Sequence, residues 1–366
     1  DRSEYWVSFP FDVKISDVFG FSEYGDKWIM QLYDGAERAK KGNWSDSPTF
    51  WKYITNRDYT LRAGVGYVLK LQASKMTDKT AFMYSDKVSL YFPSTPNNAG
   101  NTIISATPDT QHEIPEHECT IERDNRDIYD SHWNLIGVPG YANLNNVNTK
   151  YTTGNQADGV NFYYAYNAQE NKYAAAAATA TFKNMHAYMV QFAGTIDWKN
   201  DPQFNNIPQQ LAARRNSDAE PEKRTLRLEI AQGEEVADQT FVQLQQEGAT
   251  PEFDMNLDLT KIINSGANIY TLAGEQRIQS AGNALPMGEA VVPVGVQIAT
   301  EGEYTFRMPD GTEGMVVELI DYETNTRTNL LLSDYIVTLP KGTSENRFAL
   351  HIQPQKDVVT SLENIG

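Results

Sequence analysis

Apolar residues recur along the chain in short runs and at alternate positions, and rarely at helical spacing. Trp6-Val7-Ser8-Phe9, Trp28-Ile29-Met30-Gln31-Leu32-Tyr33, Tyr67-Val68-Leu69-Lys70-Leu71 and Val88-Ser89-Leu90-Tyr91-Phe92 each read as a strand. Asp34-Gly35, Pro139-Gly140, Asp158-Gly159 and Asp310-Gly311 read as turns. Alternation is cleanest near the end of the chain, where Leu226, Leu228 and Ile230 are separated by polar residues. Strand-like runs follow at 241–244, 269–272, 291–298, 304–306, 316–322, 335–339 and 348–352. Eight or nine strands packed so closely predict one sandwich or jelly roll. Helical candidates are short, around 16–19 and 208–214. The pattern predicts an all-β chain of tandem β-sandwich or jelly-roll-like domains.

The N-terminal part reads as an internal duplication. One copy opens on Trp6-Val7-Ser8-Phe9-Pro10, passes through Leu32-Tyr33-Asp34-Gly35 and closes on Leu61-Arg62-Ala63-Gly64-Val65-Gly66-Tyr67-Val68-Leu69. The other opens on Trp133-Asn134-Leu135-Ile136-Gly137-Val138-Pro139. It passes through Tyr163-Tyr164-Ala165-Tyr166-Asn167 and closes on Phe182-Lys183-Asn184-Met185-His186-Ala187-Tyr188-Met189-Val190. The expected division is a duplicated module at 1–222, with copies at about 1–108 and 109–222 that form one joined domain or two. A sandwich follows at 223–356, and a linker at 357–366. The charged, proline-bearing stretch 214–224 marks the boundary. The alanine run 174–178 fits either a hairpin strand or a short helix.

Composition narrows the functional classes. Hydrophobic residues make up 40% of the chain, enough to build real cores, and the 20 Tyr, 15 Phe and 6 Trp suit pleated sheets. The formal net charge of −17 repels nucleic-acid phosphates and anionic lipid alike. Neither nucleic-acid binding nor direct membrane insertion is therefore expected, and no apolar run reaches the roughly 18 residues of a spanning helix. The one cysteine, Cys119, rules out an intramolecular disulfide and reads as a small buried hydrophobe. The chain opens at Asp1 directly into a strand pattern, which reads as a processed or trimmed start.

Trp133-Asn134-Leu135-Ile136-Gly137-Val138-Pro139 resembles a strand of the large surface proteins that Bacteroidetes-type bacteria export by the type IX secretion system. The segments 187–192, 226–230, 269–274 and 292–296 fit the same resemblance. Val359-Thr360-Ser361-Leu362-Glu363-Asn364-Ile365 resembles the junction at which the C-terminal sorting domain of those proteins begins. Val138 stands where that family often has Asn, and Gly140-Tyr141 where Tyr-Pro is usual. The resemblance implies β-sandwich modules from a longer secreted protein, extracellular, at the cell surface and associated with the outer membrane.

Catalytic patterns are missing from the sequence. His112 and His117 are five apart with Pro115 between them, so no helix presents both to a zinc ion. That stretch reads as a polar connecting loop. No G-x-S-x-G occurs, and the five His pair with no nucleophile. No catalytic residue is assigned, and an enzyme is not expected. Asp124, Asp127 and Asp130 are spaced so that carboxylates could surround a calcium ion, although Arg123 and Arg126 interleave; no other cofactor is implied. Trp44, Trp51 and Tyr163 belong to aromatic clusters that could stack on a sugar or anchor a protein. The expected function is a structural or adhesive extracellular module. Its expected partners are glycans, other surface proteins, or neighbouring domains and copies. The alternatives are a glycan- or host-protein-binding adhesin and an accessory domain of a secreted hydrolase.

Overall fold

The structure is a computed structural model that describes residues 2–9, 12–18, 21–41, 47–72, 109–114, 131–137, 154–158, 160–177, 182–183, 185–199, 224–245, 248–310 and 314–354. It is all-β. The α-helices among the described residues are the short segments Gly35–Lys41 and Ser47–Phe50. The chain divides into two compact units: Asp1–Glu220 with Asp254–Ile262, and Pro221–Phe253 with Ile263–Gly366.

The first unit holds two four-stranded antiparallel sheets of the same design. In the first repeat the order is Arg2–Ser8, Gly66–Gln72, Trp28–Tyr33, Trp51–Tyr53. In the second it is Trp133–Gly137, Ala187–Gln191, Phe162–Asn167, Lys172–Ala177. Registers agree residue for residue. Tyr67 pairs with Val7 as Tyr188 pairs with Ile136, and Val68 pairs with Gln31 as Met189 pairs with Tyr164. The alanine run therefore lies in a strand, hairpinned to the tyrosine strand with Tyr166 opposite Tyr173. Small side chains on a pleated strand let the next layer approach closely, which helix propensity does not weigh.

Each repeat closes on one device. The Tyr67 hydroxyl accepts the Arg62 N–H at 2.7 Å, and the Tyr188 hydroxyl accepts the Lys183 N–H at 2.7 Å. Both hydroxyls reach back five residues along the chain, over a turn whose third residue before the tyrosine has positive φ: Gly64 at 76° and Met185 at 65°. Leu61 and Phe182, at matching positions, are fully buried beneath.

The repeats meet about a local pseudo-twofold. Val7 bridges His186 while Ile136, its counterpart, bridges Val65. The Ser8 N–H donates to Met185 O at 3.2 Å, and the Gly137 N–H donates to Gly64 O at 2.9 Å. Such reciprocity is the signature of an isologous contact, here between two halves of one chain. The backbones come so close that a Cβ on Gly137 would collide with the Cβ of Ser8. With Tyr67 matched to Tyr188, Pro10 matches Pro139 and Trp6 matches Leu135. The two opening tryptophans are thus two positions out of register, and the apparent match between them was fortuitous.

Each sheet has one face for its own core and one for other contacts. Phe9, Val13, Trp28, Met30, Leu61 and Tyr67 fill the first core, and Ile136, Tyr163, Phe182, Tyr188, Val190 and Ile196 the second. The strap Asp254–Ile262 lies on the second repeat. Tyr164 Oη donates to Thr260 O at 3.0 Å and accepts the Ile262 N–H at 2.8 Å. Gln191 Oε1 accepts the Thr260 N–H at 2.8 Å, and the Asn256 amide makes both hydrogen bonds to the Ala193 backbone, at 2.8 and 2.9 Å. A further sheet of the unit contains Asp109–Ile114 and Gly194–Lys199, paired with His112 opposite Ile196. Residues 111–114, expected in a connecting loop, are therefore strand. The Asp34-Gly35 turn signal marks a helix start instead: Asp34 Oδ1 accepts the Glu37 N–H at 2.9 Å, as an N-cap does.

In the second unit ten strands follow one another in a single hydrogen-bonded path. It runs from Thr326–Asn329 through Met315–Asp321, Gly342–Pro354, Ala290–Ile298, Asn268–Ala273, Ile278–Pro286, Glu235–Gln245, Arg224–Gln232 and Gly302–Arg307 to Tyr335–Leu339. Every pairing on that path is antiparallel except the one between Glu235–Gln245 and Ile278–Pro286. The sheet curls around one core, so that Phe306 near one end lies 4.9 Å from Phe348 near the other, ring to ring. Alternation writes this directly: Leu226, Leu228 and Ile230 point in and are buried.

Candidate functional site

Among the described residues an aromatic surface sits where the two repeats meet. Trp6 is buried and forms its floor. The Trp6 ring stacks on Tyr166 at 5.4 Å and 19°, and touches Tyr173 at 5.6 Å and Trp51 at 6.4 Å. Tyr33 lies 4.9 Å from Trp51. The pseudo-twofold explains the assembly. Tyr33 and Trp51 of the first repeat occupy the positions of Tyr166 and Tyr173 of the second, so equivalent cross-strand pairs flank one tryptophan. All four are half-buried, and neighbouring Tyr53 is 51% exposed.

Charge borders the rings. Glu4 accepts from the Trp6 indole N–H at 3.4 Å and pairs with Lys70 at 3.2 Å. Burial, then the nearby Glu4 carboxylate, raises both tyrosine hydroxyls, Tyr166 above its ordinary value and Tyr173 to about 12. Both therefore stay protonated at neutral pH, and the Tyr166 hydroxyl donates to Asn171 Oδ1. Flat apolar rings edged by hydroxyl oxygens and a carboxylate match the alternating C–H and O–H faces of a sugar, or a protein side chain of similar mixed character.

Of the residues singled out from the sequence, Trp51 belongs to this surface. Tyr163 does not, and the expectation for it is corrected: it is 5% exposed, in the second repeat's core, 4.4 Å from Phe182 and 5.1 Å from Tyr188. Strand alternation turns it away from Phe162, Tyr164 and Tyr166. Trp44, Asp124, Asp127 and Asp130 lie outside the described residues, and so does the 208–214 helix candidate. Among the described residues no group of three or more His, Cys, Asp or Glu gathers as metal ligands. Trp6 and Tyr173 carry no local sign of this surface, whereas Tyr166 belongs to the aromatic cluster of 163–166 that the sequence offers.

The second unit concentrates its charge in structural pairs. Asp321 is buried and receives Arg347 Nε and Nη2, with the shortest contact at 2.8 Å, and the Tyr335 hydroxyl at 2.7 Å. Burial pushes this carboxyl up, but the hydrogen bonds from Arg347 and Tyr335 outweigh it and hold the group at about 2. His351 sits between Glu289 at 2.8 Å and Glu318 at 3.3 Å, which raise its pKa, while Arg327 meets the same Glu318 at 3.3 Å. Every member of these groups is bonded to another, which suits holding strands together.

Fold and surface define an all-β chain with a duplicated, pseudo-symmetric first unit, a ten-stranded second unit and an aromatic surface on the first. The chain belongs to a family described as a domain of unknown function, DUF8693, whose model matches residues 5–352. No curated protein and no solved structure matches it.

Proposed function

We propose that this chain is a non-enzymatic, extracellular surface module that binds glycans through the ring cluster of Trp6, Trp51, Tyr166 and Tyr173. In this reading it is part of a longer secreted protein of the type IX class, and its second unit serves as a structural spacer. The observation that carries the proposal is the cluster itself. Half-buried aromatic rings from both repeats surround a buried tryptophan, with Glu4 and Lys70 at the border. Rings held on strands of two sheets lose little freedom when a ligand stacks on them, which favours binding.

The test is a glycan array with the soluble chain, followed by calorimetry on any hit. A specific sugar whose affinity falls at least about tenfold in Trp51→Ala supports the reading. Silence across the array from a folded chain, or a hit indifferent to Trp51→Ala and Tyr173→Ala, removes it. A protein partner displaced by the same substitutions would favour the adhesin form that recognises proteins.

A further inference from the structure

The ring cluster has a polar floor. Trp6, Val68, Gln31 and Tyr53 stand opposite one another in one row across the four strands of the first repeat. Trp6 belongs to one outer strand and Trp51 to the other, yet their rings lie 6.4 Å apart. Three strand spacings amount to roughly 14 Å, so both rings lean inward and meet over the middle strands, above Val68 and Gln31. Gln31 is 3% exposed there. Its Nε2 donates to Trp51 O at 3.0 Å, while its Oε1 is buried with no hydrogen-bond partner. A buried acceptor left unmet costs free energy, so this atom calls for a donor. At the matching position of the second repeat the chain itself supplies the partners: the Tyr164 hydroxyl donates to Thr260 O and accepts the Ile262 N–H.

The polar atoms near Gln31 are of one kind. The Trp6 indole N–H and Lys70 Nζ are both engaged on Glu4, and the Tyr166 hydroxyl gives its hydrogen to Asn171 Oδ1. What these pairings leave are acceptors: Gln31 Oε1, the Glu4 carboxylate and the Tyr166 oxygen. A ligand that suits them brings O–H groups, whereas a carboxylate or sulfate brings further acceptors and like charge. We propose that Gln31 is the specificity-determining residue of this surface. A ligand hydroxyl passes between the Trp6 and Trp51 rings and donates to Gln31 Oε1, which selects uncharged sugars over uronic, sialic and sulfated ones. The inference rests on the glycan reading above and names the class of sugar. Trp51 is the ring that tilts to admit the hydroxyl, since a three-residue strand at the edge of the sheet carries it.

The experiment is a glycan array of neutral chains beside uronate-, sialate- and sulfate-bearing ones. Calorimetry on the full chain follows, with the strongest neutral hit and its monodeoxy analogues. Neutral chains should bind and acidic ones should not, a result that needs no variant. Gln31→Leu, shown to be folded by circular dichroism, should weaken the neutral hit about tenfold. One monodeoxy analogue should bind the unaltered chain about tenfold more weakly and lose nothing further in Gln31→Leu. A merely structural role for Gln31 would not produce that coupling. Acidic chains bound as well as neutral ones overturn the proposal. So do losses from Gln31→Leu and from deoxygenation that add at every position, as they would if trapped water met Oε1. In either case binding that still falls in Trp51→Ala leaves the glycan reading standing, whereas silence across the whole array overturns both.

Discussion

The two repeats of the first unit share a strand order, a register and a closing tyrosine, and then diverge at matching positions. Where the first repeat has Glu4, Gln31 and Lys70, the second has Trp133, Tyr164 and Gln191. The second set holds the strap: a hydroxyl and an amide grip the backbone of residues 260 and 262. The first set makes an ion pair beside the ring cluster and leaves Gln31 Oε1 buried without a hydrogen-bond partner. Between matching strands the first repeat also inserts residues 35–50, with two helices, where the second turns through 168–171. The closing tyrosines match while the other face of each sheet differs. One repeat became the seat of an internal strap, and the other gained the elaboration beside the aromatic surface.

Substitutions can break the shared part of this design first. Gly137→Ala places a Cβ against Ser8 where the backbones of the two repeats meet, and should cost about 3 kcal/mol in chemical denaturation. Ser8→Gly in the same chain should return part of that loss by removing the colliding atom. An unchanged midpoint in Gly137→Ala would mean that the repeats do not approach as described. Next in size is a test of divergence. Tyr164→Phe strips the strap of one acceptor and one donor, and should cost about 2 kcal/mol. Gln31→Leu at the matching position of the first repeat should cost clearly less, since half of its amide is already unsatisfied. Equal losses at both positions would contradict the asymmetry.

Smaller effects test likeness. Tyr67→Phe and Tyr188→Phe should each cost about 1 kcal/mol, and by similar amounts, because each hydroxyl accepts one N–H at the same distance. Burial raises both tyrosines well above their ordinary value of 10. A raised acid favours the folded state while protonated, so stability is full below pH 10 and falls as pH rises beyond it. Ultraviolet titration should find both phenols silent until the chain unfolds in alkali, and early ionisation of one would show that its repeat is more open. The second unit supplies the opposite sign. Asp321, held at about 2 against 3.8, stabilises above pH 4 and loses that contribution as pH falls toward 2. Asp321→Asn should flatten that acid limb in denaturation midpoints measured against pH.

How much of this was legible in the sequence follows from locality. Alternation at Leu226, Leu228 and Ile230 reports a strand's own two faces, so it could be read. The closing tyrosines could be read as well, because the turn, the buried Leu61 or Phe182 and the hydroxyl contact all lie within a few residues. Trp6 and Trp133 are alike without being equivalent, because register and not residue likeness decides the match, and Pro10 and Pro139 carry the true alignment. The helix at Gly35–Lys41 was hidden behind Asp34-Gly35, whose aspartate caps helices as readily as it starts turns. The strap could not be foreseen, since nine residues surrounded by one unit's strands give no local sign that Asn256 and Thr260 bond to the other. The ring cluster needed the pseudo-twofold itself, which brings Trp6 and Tyr166 together across 159 intervening positions.

The pseudo-twofold also sets a timetable. A chain leaving the ribosome presents Val7 long before His186, its bridging partner, exists, and Tyr164 waits for Ile262. The first strands must therefore linger unpaired on the side reserved for the other repeat until the strands of that repeat emerge. Contacts so distant in sequence slow folding and prolong exposure of sticky edges. Slow and late closure of the first unit follows from the same symmetry that joins its two repeats.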